Sequence, residues 1–158
     1  MTDTPKSSFV YVTYIRTTPE KLWSALTTPE FIEKYWLGVR TEAEWKVGGP
    51  WKLSFPDGRV ADTGEITVFE PAKRLSIRWH HQLMPELKAE GWSLCTMDLE
   101  PAAGETVKLT VTHSIEREDS KLINAVSGGW PQILSNLKSL LETGAIILPP
   151  REFPGDKS

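Results

Sequence analysis

The sequence predicts an α+β domain in which a curved antiparallel sheet is covered by one long C-terminal helix. Two observations lead there. Strand-like alternation with short turn signals fills the middle of the chain from Thr41 to Ile115. A single sustained helical stripe follows it, closed by Gly144. An antiparallel sheet must bury one apolar face, and that helix is the only long element able to cover it. A chain of 158 residues suits one domain with one core.

The elements follow in order. Phe9–Ile15, FVYVTYI, is dense in aromatic and β-branched residues and reads as a strand. Thr18 and Pro19 signal a helix start, with Leu22, Trp23 and Leu26 at helical spacing. A second Thr-Pro-Glu at Thr28–Glu30 starts another short helix carrying Phe31, Ile32 and Tyr35. WKLSF then places Trp51, Leu53 and Phe55 on one face, and Pro56–Gly58 supplies hairpin-turn chemistry. The strand from Arg59 is expected to bend or bulge near Gly64. Leu75, Ile77, Trp79 and His81 share a face in the next strand, Cys95, Met97 and Leu99 in the one after. Val107, Leu109, Val111, His113 and Ile115 share a face in the last strand. The order is β-α-α-β(about six)-α, a meander joined by short turns.

The final stripe is Trp130, Ile133, Leu134, Leu137, Leu140 and Leu141. Its start is unusual, because SGGWP puts two glycines and a proline around Trp130. The reading adopted is a break or kink at Gly128–Trp130, separating the preceding EDSKLINAV helix from the main one, with Pro131 in the first turn. Residues 1–145 are expected to form the domain and 146–158 a loosely ordered, proline- and charge-rich tail.

Composition sets outer bounds. A net charge of −3 provides no electrostatic footprint for nucleic acid. No run of residues is apolar for long enough to span a membrane, and the start MTDTPKSSF is polar. One cysteine, Cys95, fits a reducing compartment, and a cytoplasmic location is the expectation. No P-loop, dinucleotide fingerprint or zinc-type spacing occurs, so neither cofactor nor metal is expected. His80 and His81 are adjacent in a strand and point to opposite faces. Seven tryptophans suit either a bulky core or the wall of a cavity.

VGGPWKLSFPDG, GEITVFEPAKRLSIRW, LTVTH and GGWPQILSNLKSLLE, taken in order, resemble homologues of the activator of the heat-shock-protein-90 ATPase. The resemblance runs from about Phe9 to Glu142 and is of the single-domain bacterial type within the START-like, or SRPBCC, superfamily. It implies the helix-grip (START/Bet v 1-like) fold, with a cavity between sheet and C-terminal helix. The superfamily includes lipid and hormone carriers, polyketide cyclases and a co-chaperone domain, and some bacterial members sit beside small transcriptional regulators. Glycine and tryptophan leading the last helix match the family pattern, whereas Pro131 departs from it.

Together these readings give a small hydrophobic or aromatic ligand held in that cavity. Its expected aromatic lining is Trp36, Trp51, Phe55, Trp79 and Trp130, with Cys95, Met97 and Leu134 completing the apolar wall. His113 and His81 are the polar candidates, although for His113 taken alone the plainer reading is a core histidine bonded to backbone. Two alternatives stand beside this one: a cyclase- or hydrolase-like enzyme pairing a cavity histidine with an inward carboxylate, and a module that binds a chaperone or a regulator. Glu42, Glu44, Glu65, Asp98 and Glu100 are the carboxylates weighed, Glu65 as the one that a bend at Gly64 could turn inward. Homodimerisation through a strand edge or Trp92 is left open.

Overall fold

The computed structural model describes residues 7–149. These form a seven-stranded antiparallel sheet in the order β1-β7-β6-β5-β4-β3-β2, with a long helix across its concave face. The strands are β1 (Ser7–Arg16), β2 (Arg40–Ala43), β3 (Pro50–Ser54), β4 (Val60–Glu70), β5 (Arg74–His81), β6 (Trp92–Ala102) and β7 (Thr106–Ile115). The helices are α1 (Pro19–Thr27), α2 (Pro29–Tyr35), α3 (Pro85–Lys88) and α4 (Lys121–Thr143). This is the helix-grip arrangement, with one addition to the expected order: the four-residue α3 between β5 and β6.

Local chemistry accounts for the element boundaries. The Thr18 hydroxyl accepts from the Lys21 N–H at 3.1 Å and Pro19 opens α1, while Pro29 opens α2. Helix α2 ends at Trp36, after which Leu37 and Gly38 turn the chain through positive φ. Strand periodicity then sorts side chains. Val107, Leu109, Val111, His113 and Ile115 are buried on β7, and Ser93, Cys95, Met97 and Leu99 on β6. On β1 the alternation leaves Val10, Val12 and Tyr14 exposed on the convex side.

The expected irregularity of β4 is found on both sides of Gly64, as register shifts at Ala61 against β3 and between Ile66 and Val68 against β5. Gly64 itself has a different task. A Cβ there would stand 2.2 Å from the Arg78 carbonyl oxygen and 3.2 Å from the Trp51 ring, so only glycine lets Trp51 lie across β4. The shift downstream returns Phe69 to the inner side, where its ring meets Trp23 of α1 at 5.2 Å.

Helix α4 corrects one expectation. Lys121–Thr143 is one continuous helix of 23 residues, with Gly128, Gly129 and Pro131 inside it. No separate EDSKLINAV helix exists, and a Cβ at Gly128 or Gly129 would meet nothing within 4 Å, so the glycines do not serve a close approach of the sheet. Helix continuity is enforced by burial, since Leu122, Ile123, Trp130, Ile133, Leu134 and Leu137 all point into the fold. The start is capped twice: the Ser120 hydroxyl accepts from the Ile123 N–H, and the Glu90 carboxylate accepts from the Ser120 hydroxyl and from the N–H groups of Lys121 and Leu122. Gly144 closes the end in a left-handed conformation.

Beyond Gly144 the chain is tied back. Asn136 Oδ1 accepts from the N–H groups of Ile147 and Leu148 at 3.1 and 2.8 Å, and its Nδ2 donates to the Leu148 carbonyl. The rest of the expected tail, 150–158, lies outside the described residues.

Candidate functional site

Strand phase brings the site together. Asp62 pairs with His81 and Gly64 with Trp79 across β4 and β5, so Asp62, Trp79 and His81 emerge on the concave face side by side. Asp62 Oδ1 accepts the Trp79 indole N–H at 2.8 Å and lies 2.9 Å from His81 Nδ1. Both side chains of the pair are largely buried, Asp62 with 12% and His81 with 14% of the side chain exposed. His81 Nε2 is buried and has no hydrogen-bond partner among the described residues. His80 points the other way, its ring 4.8 Å from Trp92 on the convex side.

A pocket of about 170 Å³ lies against this pair. Its aromatic walls are Trp36, at the end of α2, Trp79 and Trp130. Leu87 of α3 and Leu122, Val126 and Ile133 of α4 add aliphatic surface, and the exposed Ala125 stands at its rim. The three indoles pack on one another, Trp36 with Trp130 at 5.1 Å edge-on, and Trp79 at 6.1 Å from each. Trp51 packs behind Trp79, the ring centroids 4.5 Å apart and the planes tilted by 49°. The polar edge is Asp62 and His81, and no Lys or Arg lines the pocket.

Of the expected lining residues, Trp36, Trp79, His81 and Trp130 do border the pocket. Trp51, Phe55, Cys95, Met97 and Leu134 are buried in the hydrophobic core behind it. His113 is fully buried there too, and it is bonded to side chains rather than to backbone. Its Nδ1 accepts the Trp130 indole N–H at 3.2 Å, and its Nε2 lies 2.8 Å from the Ser93 hydroxyl. That geometry places the ring proton on Nε2, donating to Ser93. Burial pushes the His113 imidazole down to about 3, which keeps it neutral. Burial pushes the Cys95 thiol up, away from the reactive thiolate.

The feature that an acid–base reading requires, a carboxylate within hydrogen-bond reach of an inward histidine, is therefore found at His81 and not at His113. The sequence pattern does not single out Asp62 as the carboxylate. The expected candidates lie elsewhere: Glu42 and Glu44 pair with Lys52 and Lys46, Asp98 with Arg74, and Glu65 and Glu100 are exposed. The available signal for Asp62 was its phase, two and four residues before Gly64 and Ile66 on the inner side of β4. Among the described residues no group of three or more His, Cys, Asp or Glu side chains could hold a metal ion. Nor is any helix among them long and apolar enough to cross a membrane.

A family model described as activator of Hsp90 ATPase homolog 1-like protein matches residues 16–142. The chain belongs to this family. Among solved structures, a protein of Mesorhizobium loti is 30% identical with a TM-score of 0.74, over 86% of this chain and 97% of that one. The Aha1 dimer from Colwellia psychrerythraea is 26% identical with a TM-score of 0.68, over 87% of this chain and 98% of that one. An HSP90 activator from Plasmodium falciparum shares the fold at 23% identity and a TM-score of 0.70, over 85% and 95% of the two chains. No curated protein matches the chain.

Proposed function

We propose that this domain holds one small aromatic or hydrophobic molecule in the pocket between β4, β5 and α4. The observation that carries the reading is a pocket walled by three indoles and four aliphatic side chains, with one polar edge. Its size narrows the ligand. Pockets for drug-sized molecules run to roughly 300–1,000 Å³, whereas an apolar cavity of about 150 Å³ accepts benzene. At about 170 Å³ the pocket suits a single ring. Trp36, Trp79 and Trp130 occupy the space that a larger ligand would need.

The test is thermal unfolding of the full chain against a panel of single-ring compounds, with the indole N–H signals of Trp36, Trp79 and Trp130 followed by NMR. A binder at ten times its Kd stabilises by about 1.4 kcal/mol through mass action. For a domain of this size that raises Tm by roughly 3–5 °C. A panel that moves neither Tm nor those indole signals would sink the proposal.

The Asp62–His81 pair favours a second reading, cyclase- or hydrolase-like acid–base chemistry at the same pocket. It requires that a bound compound be converted, so product analysis of the same incubations decides it. Compounds recovered unchanged count against it. An interaction module would instead use the outward stripe of Val10, Val12 and Tyr14, which is remote from this polar edge.

A further inference from the structure

We propose that the pocket selects a neutral aromatic molecule bearing a hydrogen-bond donor, of the phenol type, whose hydroxyl donates to His81 Nε2. This rests on the ligand-binding reading above and adds the polarity of recognition to it.

Asp62 sets the polarity of the site. One carboxylate oxygen, Oδ1, takes the Trp79 indole N–H at 2.8 Å and faces His81 Nδ1 at 2.9 Å. A carboxylate offers only acceptors, so Nδ1 must carry the proton. In a neutral imidazole the other nitrogen is then the acceptor, and Nε2 presents a lone pair. Trp79 and Asp62 are positioning residues here: they set the tautomer and hold the ring, and His81 makes the contact. That lone pair is buried and unpartnered among the described residues. Most buried polar atoms have a partner, because an unpaired one forfeits the hydrogen bonds it made in water. A ligand that brings a donor recovers this loss, and a plain hydrocarbon does not.

Charge narrows the class further. Asp62 has no Lys or Arg beside it in the pocket wall, so an anionic ring is repelled and a neutral one is accepted. The indoles of Trp36, Trp79 and Trp130 supply the surface for the ring itself. Because Nε2 is closed to solvent, the donor reaches it only as the wall gives way. The part of the wall best suited to yield is α3 with the first turns of α4, which lead into Gly128, Gly129 and Pro131.

The experiment compares phenol, toluene and benzaldehyde by NMR titration of the full chain and of His81→Phe. Phenol binds the unsubstituted protein at least as tightly as toluene, although water holds phenol more strongly. In His81→Phe the ratio of phenol to toluene affinity falls about tenfold while toluene still binds. The ring nitrogens report independently: without ligand Nδ1 is protonated and Nε2 is not, and phenol shifts the Nε2 signal. If phenol and toluene keep the same ratio in both proteins, or benzaldehyde, which only accepts, is preferred to phenol, this inference fails and the pocket reading stands. If no ring binds, both fail. Should His81→Phe not fold, the ring-nitrogen signals decide alone, and a proton on Nε2 overturns the proposal.

Discussion

His113 shows how one buried side chain writes a pH dependence into the fold. It is held neutral between the Trp130 indole and the Ser93 hydroxyl, and burial pushes it from an ordinary 6.5 down to about 3. The unfolded chain takes up a proton below pH 6.5 that the folded chain refuses until about pH 3. The stability this represents is complete above pH 6.5 and is lost as pH falls toward 3, at up to about 1.4 kcal/mol per pH unit. Urea unfolding of the protein and of His113→Gln at pH 7.5, 6.5, 5.5 and 5.0 measures it. The variant should be less stable at pH 7.5 by about 1–3 kcal/mol, yet show a flatter loss between pH 6.5 and 5.0. Parallel curves would refute the assignment. The facing of His113 and His81 was legible in the sequence because a strand's period of two is local. Position along the strand was not. Phe55, Cys95 and Met97 share the concave side with His81 but lie in its filled part, and only the β4–β5 register brings Asp62 opposite His81.

At the scale of an element, α4 sets local propensity against burial, and burial wins. Gly128 and Gly129 each cost about 1 kcal/mol relative to alanine, and an interior proline about 3. Trp130, Ile133, Leu134 and Leu137 are buried, and each fully buried apolar side chain contributes roughly 1.5–3 kcal/mol. The expected break is therefore bridged. A sequence reader sees the propensities directly, but the covering sheet that outweighs them is assembled from strands many residues away. Because a Cβ at Gly128 meets nothing within 4 Å, Gly128→Ala should stabilise the protein by about 0.5–1 kcal/mol. Gly129→Ala should stabilise similarly, but its methyl stands in the pocket wall and weakens ligand binding. Calorimetry measures the first effect and ring titration the second. A fall in Tm on Gly128→Ala would show that the helix does not tolerate ordinary backbone geometry at this point.

Across the whole molecule, apolar packing is divided unevenly, and the pocket lies where its two parts meet. The main core runs from Ile15 and the α1–α2 pair through the sheet to Leu137 of α4. A separate small cluster of Leu87, Ile115, Leu122 and Ile123 holds α3 and the first turns of α4. Phe9 and Val126 pack against both this cluster and the main core, and Glu90 ties the chain after α3 to the start of α4. Against the desolvation that burial imposes, hydrogen bonds from Ser120, Lys121 and Leu122 hold its carboxyl below the ordinary range. At the far end, Asn136 clasps the chain at Ile147 and Leu148, and Lys138 and Glu142 bond the backbone of the edge strand β1 at Tyr14 and Arg16. The two halves of α4 should therefore open at different free energies, since regions with small apolar clusters open locally before the whole unfolds. Native-state hydrogen exchange gives the measurement. Amides from Ala125 to Gly129 should exchange well ahead of those from Ile133 to Leu141, and Glu90→Gln should hasten the first group alone. A single-ring ligand in the pocket, touching Leu122, Val126 and Gly129, should slow that first group toward the rate of the second. Uniform protection along α4 in the free protein would remove the case for a yielding wall. The pocket would then admit only what passes its rim at Ala125.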